Sequence, residues 1–335
     1  MAYRIHFTPQ DLARTRVADA PMPLLELDFA IRALQDRTQS ARLGAWRARA
    51  RRQLPAEARM VVSLIPPVGF SPTFLTPPRV GPLEELIEQV HATPRSTIRA
   101  QLATIAESQP IPAWARRLAD DPALHAKVSD GVGSLYASLL GPYWDQITDL
   151  FRADRSIRLR QVLGGGVEQL LSQANPRWMR WNPPVLEVRM PNGIEHDLLL
   201  EGQGVVLAPS AFHTRVLIDD DARPQPIVSY PAGLEQPLRS LRVVAPPAPA
   251  GPATSAVSTL LGNTRAAVLA VVAEHSGCTT KELSALTGVA PASASEHATV
   301  LRKAGLIRTS RHRNTALHSV TNLGVALLNA PPKSP

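Results

Sequence analysis

Several scarcities in the 335-residue chain each close off a class of answer. There is one cysteine, Cys278, which excludes an internal disulfide and a multi-thiolate zinc site. No uninterrupted apolar run approaches the ~18 residues of a membrane span. The opening Met1-Ala2-Tyr3-Arg4-Ile5-His6 has no basic stretch followed by an apolar one, as an export signal would. These absences predict a cytoplasmic protein with no membrane partner. Gly-x-Ser-x-Gly, His-Glu-x-x-His and a strand-borne Gly-x-Gly-x-x-Gly are missing, so neither an enzyme nor a bound cofactor is expected. Gly164-Gly165-Gly166 lacks a following Gly-Lys-Ser/Thr and reads as a helix break, not a phosphate loop. Asp219-Asp220-Asp221 reads as a turn, not a metal site.

Hydrophobic residues make up 44% and charged ones 19%, enough apolar content for packed cores. At about 100–200 residues per domain, the length predicts two or three domains. Lysine is scarce, with Lys127, Lys281, Lys303 and Lys333 the only four, so nearly all the positive charge is arginine. With 32 prolines, that bias reads first as the imprint of a GC-rich coding sequence. The position of the charge is more informative. Residues 264–329 hold seven Lys/Arg and three acids, net +4, while the four-times-longer 1–263 is net +3. Positive charge gathered at one end is the footprint of a phosphate-backbone binder.

The run Ala245 to Ser255 has four prolines in eleven residues and predicts an extended linker. It separates a 1–244 effector or dimerisation domain from a 256–330 domain. The predicted fold class is α+β: a mainly helical N-terminal region with a small antiparallel sheet, then a C-terminal winged helix-turn-helix. Tyr3 to Phe7 alternates like a strand, and Thr8-Pro9-Gln10-Asp11 is a helix start. Helical spacing covers Pro23 to Gln39 and about 82–91, 94–108, 122–140 and 143–174. Val185 to Met190 and Ile194 to Leu200 flank Asn192-Gly193 and predict a hairpin. Further strands are expected at Gly204 to Leu207 and Ile227 to Tyr230.

Residues 264–329 resolve most sharply. A helix from Thr264 to Glu274 turns Leu269 and Val272 inward. Thr279-Thr280-Lys281-Glu282 is a capping box opening a second helix with Leu283 and Leu286 buried. Gly288 stands where a left-handed residue is needed, and Pro291 opens a third helix that Gly305 ends. Helix, glycine turn, helix is the helix-turn-helix pattern. Ser293, Ser295, Glu296, Thr299 and Arg302 are expected on one face of the third helix, small enough for close approach to a groove. Leu306 to Ser310 and Thr315 to Val320 form a hairpin whose tip, Arg311-His312-Arg313-Asn314, has the charge of a wing. Thr321 caps a last helix to Asn329.

This segment resembles the winged helix-turn-helix of ArsR-type bacterial regulators, in Ser295, His297, Leu301, Ala304, Gly305 and Leu306. Ala290 replaces the usual serine cap, Ala298 a leucine, and Asn314 the wing glycine. The longer N-terminal part is similar to the front domain of actinobacterial regulators of this type. The resemblance implies a homodimeric transcriptional regulator, more often a repressor, that binds double-stranded DNA, with residues 1–244 serving dimerisation or the sensing of a small-molecule effector. The residues expected at DNA are Thr280, Ser293, Ser295, Glu296, His297, Thr299, Arg302, Lys303, Arg311, His312 and Arg313. Metal sensors of that type place Cys-x-Cys on the second helix or His and acids on the last. Neither set is present, so no metal is expected. Two other readings remain open at this point: a winged protein-interaction module, and an enzyme-like front domain with a DNA-binding appendage.

Overall fold

The computed structural model describes residues 3–35, 43–55, 58–190, 195–213, 215–232, 253–274, 278–312 and 315–328. The chain divides into two compact units, residues 1–36 with 50–234, and residues 37–49 with 235–335. Among the described residues no helix is long and apolar enough to cross a membrane.

In the first unit, β1 (Tyr3–His6) leads into α1 (Pro9–Arg14), β2 (Arg16–Val17) and α2 (Pro23–Gln35). Then come α3 (Gly44–Gln53), which crosses the division between units, and α4 (Ala58–Leu64), α5 (Leu83–His91), α6 (Arg95–Ser108), α7 (Pro122–Leu139) and α8 (Trp144–Gln173). Six strands close the unit: β3 (Met179–Asn182), β4 (Val185–Val188), β5 (His196–Leu199), β6 (Val206–Ser210), β7 (Leu217–Asp219) and β8 (Ile227–Pro231). The start of α1 follows its sequence closely. Thr8 and Asp11 form a reciprocal capping box. Asp11 also accepts from the Gly204 backbone N–H at 3.0 Å, tying the helix to the approach of β6. Gly204 has φ +68, and a Cβ there would stand 2.7 Å from the Asp11 carbonyl oxygen. Only glycine meets both demands.

The sheets depart from the expected antiparallel hairpin. One sheet runs β3-β4-β1-β5, so β1 lies between the two segments predicted to pair. It is antiparallel to β4 and parallel to β5. The other sheet runs β2-β6-β8-β7, parallel except for β7. Both sheets are therefore mixed. Burial explains the insertion. Tyr3, Ile5 and Phe7 point into the core with Leu186, Val188, Leu207, Val228 and Tyr230, so pairing β1 on both edges satisfies its backbone where water is excluded. The predicted Asn192-Gly193 turn lies outside the described residues.

The helices follow their apolar spacing. Met60 to Ile65, a bare apolar run in the sequence, lies mostly within α4. α7 packs on α2, α4 and α5. α8 breaks as expected at its glycines: Gly165 and Gly166 leave helical geometry, and Gly166 has φ +71. Within α8 the Arg158 guanidinium is buried and bound to both carboxylate oxygens of Asp154, at 3.0 and 3.2 Å. Arg158 also donates to Gln161 Oε1 at 3.0 Å and to the Gln173 carbonyl at 3.1 Å. The Tyr230 hydroxyl donates to Asp154 at 2.6 Å, linking helix and sheet. Burial first, then the adjacent Asp154 carboxylate, hold the Tyr230 phenol protonated well past the ordinary tyrosine range. The paired tryptophans Trp178 and Trp181 are half-buried against the sheet core, where Phe7 meets Trp181 edge-on.

The second unit contains α9 (Ala253–Leu261), α10 (Asn263–Glu274), β9 (Cys278–Thr279), α11 (Thr280–Thr287), α12 (Pro291–Lys303), β10 (Ile307–His312), β11 (Thr315–Val320) and α13 (Asn322–Leu328). Most of the expected linker lies outside the described residues, but its last three, 253–255, form the first turn of α9. Val268, Leu269, Val272, Cys278, Leu283, Ala294, Ala298, Leu301, Leu306 and Ile307 make one small core. Cys278 is a buried strand residue of this core.

Candidate nucleic-acid interface

Each boundary of the helix-turn-helix has its own residue. Thr279 caps α11 with its side chain on the Glu282 N–H at 3.1 Å, and Glu282 accepts from the Thr279 N–H at 2.7 Å. Gly288 closes α11 at φ +68, ψ 19, the left-handed cap that a side chain would strain. Ala290 caps α12 without a side-chain hydrogen bond, as its substitution for serine predicts. Pro291 supplies the fixed φ of the first turn. At the far end the Leu306 N–H donates to the Leu301 carbonyl at 2.9 Å, and the Gly305 N–H to that of Arg302 at 3.0 Å. That is a Schellman closure around left-handed Gly305.

Ala294, Ala298 and Leu301 form the inner face of α12. The opposite face is exposed and runs through Ala292, Glu296, Thr299 and Lys303, with Val300 beside it and Ser295 and Arg302 on one flank. The five polar residues expected on one face do not all share it. Two helical positions differ by 200°, which puts Ser293 and Ser295 on opposite flanks. Ser293 and His297 are half-buried. The His297 Nδ1 is enclosed and has no hydrogen-bond partner among the described residues. Thr280 also turns out otherwise: its hydroxyl is engaged by His318 Nε2 at 3.0 Å.

The wing pairs Ile307 with Val320 through His312 with Thr315, so β10 runs two residues further than expected while β11 has the expected bounds. Arg311 and His312 have strand backbones and are not part of the tip, while Arg313 lies outside the described residues. β9 pairs with β11 at Cys278↔His318 and Thr279↔Leu317, fastening the wing to the start of α11. His318 completes the joint. Its ring is buried, with Nδ1 3.0 Å from Thr309 Oγ1 on β10 and Nε2 on Thr280. Burial holds its pKa below the ordinary imidazole range. The Thr321 hydroxyl donates to the Gly305 carbonyl at 2.6 Å and accepts from the Gly324 N–H at 3.2 Å, which ties the start of α13 to the turn after α12.

Lys281, Arg302, Lys303 and Arg308 are exposed, and among the described residues none of them is ion-paired. Their charge is therefore available to an anionic partner. Lys281 and Arg308 are additions to the residues expected at DNA. The signals that point to them are the capping box, which turns the next residue outward, and the alternation after buried Ile307.

Residues 261–316 match the MarR family model. The matched segment is a winged helix-turn-helix of the kind that DNA-binding transcription regulators carry. It is thus a MarR-family match, on a short part of the chain, that falls where the ArsR-type motifs were read. No curated protein and no solved structure matches the chain.

Proposed function

We propose that the protein is a sequence-specific DNA-binding transcriptional repressor, ArsR-like in its recognition helix. It acts as a cytoplasmic homodimer with no catalytic activity of its own. Residues 1–244 serve dimerisation or the sensing of a small-molecule effector. The observation that carries this reading is the exposed outer face of α12, bare of apolar bulk apart from Val300 and accompanied by Lys281, Arg302, Lys303 and Arg308, which have no ion-pair partner among the described residues. A helix with a free polar face, backed by a cationic hairpin, suits a major groove flanked by phosphates. Two copies related by a two-fold axis would place their helices in grooves roughly 34 Å apart on a near-palindromic site.

Selection of bound sequences from random duplex DNA by the full chain tests this reading. Enrichment of a near-palindromic motif is expected. Absence of any enrichment would overturn it in favour of an assembly module. Arg311→Ala with Arg313→Ala should weaken binding to all duplexes alike and flatten the salt dependence by about 1 to 2 units of slope, one for each phosphate no longer neutralised. An unchanged slope removes the wing from the DNA-facing surface.

A further inference from the structure

One residue of the α12 surface runs against its surroundings. Glu296 is exposed in the middle of the outward stripe, between Ala292 and Thr299. Among the described residues it makes no hydrogen bond or ion pair. The positions one turn away, Ala292, Ser293, Thr299 and Val300, offer no cation, so the helix itself cannot neutralise it. A lone carboxylate on a face that meets phosphates weakens binding by like-charge repulsion. The cost is offset only where the carboxylate reaches past the phosphates to a hydrogen-bond donor.

We propose that Glu296 is a specificity-determining residue that accepts a hydrogen bond from the exocyclic amino group of one cytosine in the major groove. This rests on the DNA-binding reading above. The chemistry singles out that base. An ionised carboxylate only accepts. In the major groove guanine shows two acceptors, and thymine an acceptor and a methyl group. Adenine offers an amino donor, but its N7 acceptor lies beside it and faces the second carboxylate oxygen. Cytosine alone presents an amino donor with no acceptor on its own edge. Small neighbours on both sides, Ala292 and Thr299, let the helix backbone approach the groove floor, which brings the short Glu side chain within reach. Lys303, two turns further along the stripe, and Arg302 beside it are placed for the backbone instead.

The test compares the wild-type full chain with Glu296→Ala and Glu296→Gln, each by selection from random duplexes and by competition between duplexes differing at one pair. Glu296 is exposed and has no partner among the described residues, and Gln is its near-isostere, so both variants retain the fold. Wild type is expected to require cytosine at one position of each half-site. Glu296→Ala should accept all four bases there, losing about 5- to 150-fold of discrimination, the range for one good base contact. Glu296→Gln should move the preference to adenine, because an amide can accept from the amino group and donate to N7 at once. If Glu296→Ala binds every duplex more tightly with an unchanged base profile, Glu296 is only a solvated rim charge and the proposal falls. That outcome leaves the DNA-binding reading intact. A wild-type chain that selects no sequence at all overturns both.

Discussion

Salt dependence offers the sharpest quantitative handle on the winged unit. Four exposed cations, Lys281, Arg302, Lys303 and Arg308, have no ion-pair partner among the described residues. If each neutralises one phosphate, they contribute a slope of about −3.6 in log affinity against log salt, at about −0.9 per phosphate. Between 50 and 200 mM salt that is a loss of about 150-fold in affinity per winged unit. Removing two of them, Arg302→Ala with Lys303→Ala, should flatten the total slope by about 1.8 units and shrink the salt-induced loss over the same range by about 12-fold, whatever the wing arginines add. The measurement is a titration of the full chain against a fluorescent duplex at several salt concentrations. Both residues also sit in the last turn of α12, where a cation favours the helix by about 0.3–1 kcal/mol, so circular dichroism should accompany the titration. Arg116→Ala with Arg117→Ala removes the same charge from exposed positions in the first unit. If that control flattens the slope as much, net charge and not phosphate contact explains the dependence, and the reasoning fails.

Two further outcomes follow from buried groups. His318 has a folded-state pKa below its unfolded value of about 6.5, so its neutral form stabilises the winged unit fully above about pH 6.5. That stability is lost as pH falls below 6.5, and His318→Gln should flatten the pH dependence of the far-ultraviolet melt, a flat wild-type profile contradicting it. Asp154→Ala strands the buried Arg158 charge and should cost about 3–5 kcal/mol, whereas Asp154→Leu with Arg158→Met should recover much of the loss. Urea unfolding followed by tryptophan fluorescence reads this out, since four of the five tryptophans, Trp114, Trp144, Trp178 and Trp181, belong to the first unit. Equal stability of the single and double variants would argue against a stranded charge.

The winged unit was largely legible because each turn there depends on a residue with few alternatives. Thr279, Gly288, Pro291 and Gly305 each meet a backbone demand that most side chains cannot, so their spacing dictates the helices between them. The sheet of the first unit was not legible for the opposite reason. Alternation in 185–190 and 194–200 says that each segment is a strand, but the identity of its neighbour is decided by residues nearly two hundred positions away. The local Asn-Gly signal competed with burial of Tyr3, Ile5 and Phe7, and burial prevailed. The sequence signal for α9 is weak because prolines crowd its N-terminal side and serines and threonines dilute its apolar face. The site was legible in composition but less so in orientation. Ser293 and Ser295 look equivalent in the sequence until the 100° step per residue separates them, and the hydroxyl of Thr280 is claimed by a histidine 38 positions further on.

The placement of β1 also bears on synthesis. Residues 3–6 are made well before their two neighbours in the sheet, 185–188 and 196–199. During translation β1 must wait, unpaired, for most of the rest of its unit to be made. A nascent chain halted before residue 200 would hold this strand exposed to chaperones or proteases, so the integrity of the front unit is decided near the end of its own translation.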